Sequence, residues 1–212
     1  MNRIAFAKKD KELRQQALID AANAVFAEHG FDAATTREIA ERAGCAEGLI
    51  HRYFTSKRGL LLAILDERSS VVAEEFGAGL PETDCVVEEV QQILLREVDA
   101  KWERRDFMRV CISQAAIDPE VGKAVRELVQ SRLVAFIGAR LQRHQAAGRI
   151  RPDTDVTAIA EVISGLGFAA GFMYRIAFGA SREETERVVQ EAAAAIARGI
   201  STSPHAPEEV RQ

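Results

Sequence analysis

The stretch from Thr35 to Leu61 constrains the fold of this chain more than any other part of the sequence. A helix is predicted to start at Thr35-Thr36, because threonine caps helices and three apolar residues follow on one side: Ile39, Ala40 and Ala43. Gly44 then supplies the positive φ at which helices commonly end, and a second short helix is expected from about Glu47 to Phe54. This is the layout of a helix-turn-helix, whose second helix enters the DNA major groove. A generic helical hairpin has the same periodicity, so the pattern alone leaves both readings open.

The same segment is similar to the DNA-binding signature of the TetR family of transcriptional regulators. That signature reads Thr-Thr, Ile-Ala, Ala-Gly, Gly-x-x-Tyr-x-Tyr-Phe and Lys-x-x-Leu, and the matching residues are Thr35, Thr36, Ile39, Ala40, Ala43, Gly44, Gly48, Tyr53, Phe54, Lys57 and Leu60. The preceding stretch, with Ala21-Ala22, Val25-Phe26 and a closing Gly30-Phe31, resembles the first helix of the family. We therefore expect an all-α protein of about nine helices, with a three-helix helix-turn-helix head followed by an antiparallel helical domain.

The chain departs from the family pattern at three positions. His51 stands where the family usually has the first tyrosine of its aromatic pair, Ala46 replaces the usual serine, and Cys45 replaces the usual valine. Alanine cannot cap a helix, and the loss of a side-chain cap typically costs about 1 kcal/mol. Glu47 can compensate in part through the helix dipole.

The resemblance and the chemistry of the exposed positions together predict the DNA contacts. Arg52 is the candidate base reader, because arginine can bind guanine bidentately, and Leu49 is placed to meet a thymine methyl group. Thr36, His51, Tyr53 and Lys57 are expected to bind phosphates. The complete set of predicted DNA-binding residues is Thr36, Arg37, Glu47, Gly48, Leu49, His51, Arg52, Tyr53 and Lys57.

Charge is distributed unevenly along a chain whose net charge is −4. Residues 1–60 carry ten Lys and Arg against eight Asp and Glu, a net of +2, and the remaining residues carry 18 against 24, a net of −6. An acidic protein with its basic excess around the helix-turn-helix fits local docking on DNA rather than general binding to polyanions.

Composition favours a soluble cytoplasmic protein. Hydrophobic residues make up 47% of the 212, enough for a sizeable core. Cys45, Cys85 and Cys111 lie far apart without metal-ligand spacing, so we expect reduced thiols and no metal. No signal peptide is evident, and the longest nearly uncharged apolar stretch, Val162–Tyr174, is shorter than the roughly 20 residues that span a bilayer.

Glycine, proline and helix-capping residues divide the rest of the chain into predicted helices. A long helix is predicted from about Ser56 to Gly77, and further helices over about residues 85–102, 104–117, 118–147 and from 152 to about 179. Asp118-Pro119 and the capping box of Ser181 and Glu184 mark two of the helix starts. The predicted domains are a DNA-binding domain at residues 1–55, a ligand-binding and dimerisation domain at 56–202, and a disordered tail at 203–212.

Small residues crowd the last two predicted helices. Interior glycine costs about 1 kcal/mol relative to alanine in a helix, so a cluster of glycines suggests close approach of another helix. The resemblance implies that the final two helices pair with their copies in a second subunit as a four-helix bundle. The predicted dimer interface is Gly167, Gly171, Ala193 and Ala197, and close packing within one chain is the alternative.

Aromatic and polar residues, together with a cysteine, share helical faces in the middle of the sequence. This is the usual composition of a small-molecule pocket. The candidate lining residues are Trp102, Phe107, Cys111, Gln114, Arg132, Phe136, Phe168 and Phe172. A core whose polar members reach solvent or pair with one another would show the same pattern.

The sequence therefore predicts a homodimeric DNA-binding regulator, a repressor released from double-stranded operator DNA by an unidentified, largely apolar ligand. Control by a protein partner, or constitutive repression, is the alternative. An all-helical enzyme has little support, because the four histidines lie outside catalytic signatures and no phosphate loop or HExxH motif is present. No cofactor and no membrane partner are expected.

Overall fold

The structure is a computed structural model that describes residues 3–202, with side chains described for residues 9–68 and 76–202. Regular structure in this range is helical, apart from an isolated antiparallel bridge between Ile150 and Ser201. The prediction of an all-α fold is confirmed. The predicted disordered tail, residues 203–212, lies outside the described residues.

Ten α-helical segments follow one another along residues 3–202. They are α1 (Arg3–Ala33), α2 (Thr36–Arg42), α3 (Gly48–Phe54), α4 (Lys57–Ala78), α5 (Val86–Glu103), α6 (Arg105–Ile117), α7 (Pro119–Ala124), α8 (Ser131–Ala146), α9 (Val156–Phe168) and α10 (Arg182–Ile200). Two π-helical segments, Val125–Gln130 and Ala169–Ala177, continue α7 into α8 and extend α9. The predicted helix over residues 118–147 is thus present, but with a π segment that the periodicity did not indicate.

Helix ends lie where the capping residues predicted them. The Asp118 carboxylate accepts hydrogen bonds from the N–H groups of Glu120 at 2.9 Å and Val121 at 3.4 Å, with Pro119 in the first turn. Ser181 and Glu184 form the complete capping box at the start of α10. Gly44 and Gly148 adopt φ values of 62° and 72°, which other residues rarely adopt, so glycine permits the chain to leave α2 and α8.

The helices belong to two compact units, which we call the head unit and the body unit. The head unit comprises Met1–Ser70 and Asp106–Val129, and the body unit comprises Val71–Arg105 and Gln130–Gln212. The domain boundary predicted from the sequence lies after residue 55. In the structure the first half of α4, together with α6 and α7, shares one hydrophobic core with α1–α3, which places these elements in the head unit.

Each unit has its own hydrophobic core. In the head unit the largest fully buried side chains are Leu18, Phe26, Ile39, Ile50, Leu60, Leu61, Ile64 and Leu65. In the body unit, α5 packs against α9, the π segment after it and α10, around Ile93, Leu94 and Ile137. By length and composition alone, the stretch Val156–Ala177 could cross a membrane: an 18-residue window of it has a mean hydropathy of 1.6, and 44% of that window is buried. Because it packs on α5 and α8, it is a core helix of this unit.

Candidate DNA-binding surface

The α2–turn–α3 segment has the geometry of a helix-turn-helix. Thr35 caps α2, since its hydroxyl accepts a 3.1 Å hydrogen bond from the N–H of Glu38. Thr36, expected to share the capping role, is the first residue of α2, and its hydroxyl instead donates to Oε1 of Glu47 at 2.5 Å. This bond ties the start of α2 to the start of α3 across the turn.

Helix α3 buries one side and exposes the other. Ile50 is fully buried, and Leu49 is half-buried against the head core, while Gly48, His51 and Arg52 are exposed. The residue before the helix is Glu47, which makes no side-chain capping bond to α3. The exposed side of α3 therefore carries the candidate base reader Arg52 and a glycine beside which there is open space.

His51 and Tyr53 have defined partners on α3 and at its end. Nδ1 of His51 lies 3.2 Å from the carbonyl oxygen of Thr55, to which it donates. Thr55 adopts a φ of 69°, a strained value for a non-glycine residue, at the point where the chain leaves α3. Tyr53 is half-buried, with the guanidinium of Arg52 5.9 Å from its ring centroid.

Lys57 is placed differently from its predicted role. Its ammonium donates to the carbonyl oxygens of Phe31 at 2.5 Å, Asp32 at 3.1 Å and Ala34 at 2.9 Å, and lies 4.6 Å from the centre of the Phe31 ring. An ammonium group has three N–H donors, and all three are used here. A direct phosphate contact by Lys57 therefore does not follow from this geometry; the residue holds the end of α1 to the start of α4.

Two side-chain contacts that the sequence did not reveal, one of them an ion pair, brace α2 against α1. Arg42 donates two hydrogen bonds of 2.6 Å to the carboxylate of Glu28, and Nε2 of His29 lies 3.0 Å from Glu38. The bond from Arg42 lowers the pKa of Glu28. These partners lie on different helices, so no local spacing in the sequence indicates them. Arg37, also a predicted DNA contact, is highly exposed and bonds Glu41 at 2.9 Å.

The predicted pocket residues are divided between the two units. Phe107, Cys111 and Gln114 belong to the head unit, where Cys111 and Gln114 are buried and burial raises the pKa of the Cys111 thiol to about 12. The other five belong to the body unit: Trp102, Arg132, Phe136, Phe168 and Phe172. Among these, Phe168 and Phe172 stack with their ring centroids 5.3 Å apart, and Arg132 is exposed.

Two concave sites in the body unit lie away from all the predicted pocket residues. One, of about 200 Å³, is lined by the start of α5 and by Arg149, Arg198 and Thr202. The other, of about 430 Å³, lies between the start of α9 and the end of α10. Among the residues that the structure describes, no group of three or more His, Cys, Asp or Glu could hold a metal ion.

The four predicted dimer residues are buried inside the protomer. Ala193 and Ala197 are fully buried, and a Cβ added at Gly167 would lie 2.7 Å from Cβ of Glu97. A Cβ at Gly171 would lie 3.1 Å from the backbone of Val98. The small residues do permit close approach of another helix, but that helix is α5 of the same chain. The structure therefore shows close packing within one chain at these four positions, the alternative stated for them, and their part in a subunit interface stays a prediction.

The body unit also buries charged groups that the sequence analysis missed. Glu89 is fully buried and accepts hydrogen bonds from Arg140 and, at 3.4 Å, from Arg143. Nε2 of the fully buried His144 lies 3.3 Å from the same carboxylate, and Nδ1 of His144 accepts a 3.2 Å bond from Arg149. Because Arg149 donates to Nδ1, the ring proton is assigned to Nε2, which donates to Glu89. We call Glu89, Arg140, Arg143, His144 and Arg149 the Glu89 cluster.

These features define a helix-turn-helix protein whose recognition helix is braced by the rest of the head unit. Two family models match the chain. The model described as bacterial regulatory proteins, tetR family, covers residues 18–64, and the tetracyclin repressor-like C-terminal domain covers residues 80–196. The chain belongs to the TetR family, which confirms the resemblance inferred from the signature residues.

Curated and structural relatives agree with this assignment. The chain is 31% identical to the HTH-type transcriptional repressor AcnR of Corynebacterium glutamicum over 189 residues, 88% of this chain and 93% of that protein. A TetR-family regulator from Mesorhizobium loti superimposes with a TM-score of 0.73 at 21% identity, over 95% of this chain and 100% of the other. The regulator FadR of Bacillus subtilis, solved with stearoyl-CoA, gives 0.67 at 18% identity, over 87% and 98%. At these identities the two structures support the fold alone.

The relatives and the family are transcriptional regulators rather than enzymes. The chain is a DNA-binding transcriptional repressor of this family, as predicted, and the enzymatic alternative is not supported.

Proposed function

We propose that this protein represses transcription by placing the exposed side of α3 in the major groove of an operator. The observation that carries the proposal is the division of α3 itself: Ile50 anchors the helix in the head core, while His51 and Arg52 on the same helix are exposed. Arg52 reads guanine, and Gly48 lets the backbone approach the bases. Thr36, Arg37, Glu47, Leu49, His51 and Tyr53 complete the proposed contact surface, with Lys57 as a positioning residue.

Binding to DNA duplexes selected by the wild-type protein tests this assignment. Arg52→Ala should lower the preference for the selected operator over variants at one base pair by about 1–3 kcal/mol, because one bidentate contact is lost. Arg109→Ala, which removes an exposed arginine on α6 that bonds Asp106, is the matched control and should keep the preference. Equal affinity of the wild-type protein for selected and scrambled duplexes would exclude sequence-specific recognition.

Dimerisation is part of the proposal, because one short recognition helix reads few bases and operators of such regulators have two half-sites. The outer sides of α9 and α10 are the candidates for the subunit interface. Val162 is 54% exposed and Gly165 is open, and Val188 is 40% exposed with Ala195 exposed two turns later. This surface remains available to a second copy, unlike the inner sides that pack on α5.

Sedimentation separates this interface from the one that the sequence first indicated. Val162→Arg places a charge at the centre of the proposed contact, so the variant should sediment as a monomer and lose operator affinity. Glu127→Arg, at an exposed carboxylate of the head unit, should remain a dimer. A dimeric Val162→Arg variant with full operator affinity would place the interface elsewhere.

We further propose release from DNA by a small, largely apolar ligand of the body unit. The family supports ligand control, and Bacillus subtilis FadR has been solved with stearoyl-CoA. Four of the aromatic residues predicted to line the ligand pocket belong to the body unit: Trp102, Phe136, Phe168 and Phe172. A ligand shifts the protein off DNA only if it binds the DNA-incompetent state more tightly. Helix α4 begins directly after α3 and ends in the body unit, so it is the covalent route for that coupling.

Thermal unfolding with fatty acids and fatty acyl-CoAs of increasing chain length tests this part. A ligand that binds the native state raises the unfolding temperature, and the same compound should lower operator affinity. Phe172→Ala should reduce both effects. Stabilisation without loss of DNA binding would argue against an effector role, and no response across the series would favour control by a protein partner.

The cytoplasm, where the operator is found, is the proposed location.

A further inference from the structure

One lysine outside the helix-turn-helix lies beside the recognition helix. Lys11 belongs to α1, seven residues before the start of the segment that the tetR family model covers. Its side chain is exposed, and its Nζ atom lies 5.8 Å from the centre of the Tyr53 ring. The guanidinium of Arg52 lies 5.9 Å from the centre of the same ring. Lys11 and the candidate base reader therefore flank a single tyrosine.

Among the described side chains Lys11 has no acidic partner, in contrast to its neighbour on α1. Arg14 lies one turn further along the helix and is paired with Asp10 at 2.8 Å. Within the described residues no carboxylate lies at ion-pair distance from Lys11. Its contact with Tyr53 is an exposed cation–π interaction, a weak attraction that can be exchanged for a stronger partner.

DNA backbone phosphates are stronger partners for an ammonium group, and they lie close to a side chain that reads bases in the groove. The major groove is about 12 Å wide, and its two edges are phosphate strands with one charge about every 3.4 Å along each strand. A cation that lies one tyrosine ring away from a residue in the groove is consequently near one of those edges. Lys11 is long enough to turn from the ring of Tyr53 to a phosphate without any movement of the backbone.

We propose that Lys11 binds a backbone phosphate at the edge of the groove that receives α3, and so extends the DNA contact surface onto α1. The inference rests on the proposed docking of α3. It adds a sequence-independent contact that neither the helix-turn-helix signature nor the region matched by the family model contains. Tyr53 then has a positioning role, because its ring holds both cations on the side of α3 that faces DNA.

The salt dependence of binding tests the contact. Each phosphate neutralised by the protein contributes about 0.9 to the slope of log affinity against log salt. A dimer carries two copies of Lys11, so Lys11→Gln should reduce the slope by about 2 on both selected and scrambled duplexes, with unchanged base preference. Lys11→Arg should keep the wild-type slope. Lys123→Gln is the matched control, since it removes a lysine of the same unit whose side chain is 71% exposed.

Several results would overturn the inference. A Lys11→Gln slope equal to that of the wild-type protein excludes the phosphate contact, and so does an equal reduction in Lys123→Gln, which would show a general charge effect. A changed base preference at unchanged slope would make Lys11 a base contact instead. Thermal unfolding of the variants separates lost contact from lost fold. Failure of the wild-type protein to prefer any selected duplex would count against the docking of α3, whereas the slope on scrambled DNA still reports on Lys11.

Discussion

The head unit and the body unit are both helical, but they bury different chemistry. Among the described residues of the head unit, the one buried polar side chain is Gln114, and its buried core is otherwise apolar. The body unit buries the carboxylates Glu89 and Glu97, the imidazole of His144 and the guanidinium of Arg175. The head unit places its ion pairs at the surface, where they brace short helices.

The two units therefore show two kinds of helix packing, one through apolar side chains and one that also includes buried charge pairs. Apolar residues at helical spacing are sufficient to specify the head core, because hydrophobic burial is non-directional. A buried charge requires a partner of the right geometry, and the charges of the body unit satisfy each other across α5, α8 and the loop after α8. The body unit is therefore the part of the molecule in which a single polar substitution should have the larger effect.

The largest expected effect is at Glu89. Glu89→Gln leaves Arg140 and Arg143 without their buried counter-charge and should lower the free energy of unfolding by about 3–5 kcal/mol, measured by urea denaturation. Glu82→Gln is the matched control, because Glu82 also pairs with Arg143, at 2.7 Å, but is 84% exposed. The control should change stability by less than about 1 kcal/mol. Similar losses in the two variants would remove the contrast between buried and surface charge.

Glycine positions in the body unit give the next largest effect. Gly167→Ala places a methyl group 2.7 Å from Cβ of Glu97 and should destabilise the protein by about 1–3 kcal/mol through overpacking. Gly199→Ala adds the same methyl group to α10, where no atom lies within 4 Å. Because alanine is the better helix former, that variant should be as stable as the wild-type protein or slightly more stable. A harmless Gly167→Ala would show that α5 and α9 can move apart.

A helix cap offers a smaller test, because the sequence alone predicted it. Ser181→Ala removes the acceptor for the N–H of Glu184, at 3.1 Å, and should cost about 1 kcal/mol in thermal or urea unfolding. Thr35→Ala removes the equivalent cap of α2 in the head unit and should have a similar effect. Clearly unequal losses would mean that the surrounding unit, rather than the cap, determines the cost.

The smallest effect is the pH dependence of that capping box. Hydrogen bonds from Ser181 lower the pKa of Glu184 below its ordinary value of 4.5. A carboxyl group whose pKa is lower in the folded state stabilises the fold above the unfolded pKa, and that stabilisation is lost as pH falls through the folded pKa. Glu184→Gln should therefore be less stable than the wild-type protein at neutral pH, and the two should converge in acid. A difference that persists unchanged at low pH would assign the effect to packing.

The helix-turn-helix geometry could be predicted well because its determinants are local. Thr35, Gly44 and Ile39 act within a few residues of their own positions as cap, turn and core residue, and each has the predicted role in the structure. Lys57 shows where this reasoning stops. The match of Lys57 to the family signature suggested a phosphate contact, but the carbonyl groups that accept from its ammonium belong to residues 31, 32 and 34.

The small residues of α9 and α10 teach the same lesson from the body unit. Their spacing correctly indicated that another helix approaches closely, but spacing contains no information about which helix. The structure identifies α5 of the same chain as the partner of Gly167 and Gly171. The proposed subunit interface accordingly uses the exposed side of α9, around Val162.

The sequence by itself determined the family, the all-α fold, the order of the helices and the position of the recognition helix. The family follows from the resemblance of the segment between Thr35 and Leu60 to a known signature. The other three follow from capping residues, glycine turns and apolar periodicity, whose effects extend over one or two helical turns. Only the tertiary structure decided the membership of α6 and α7 in the head unit, the π segments, the Glu89 cluster and the placement of Lys11 beside Tyr53. These depend on which helices pack together, and residues far apart in the chain meet only after the hydrophobic faces have chosen their partners.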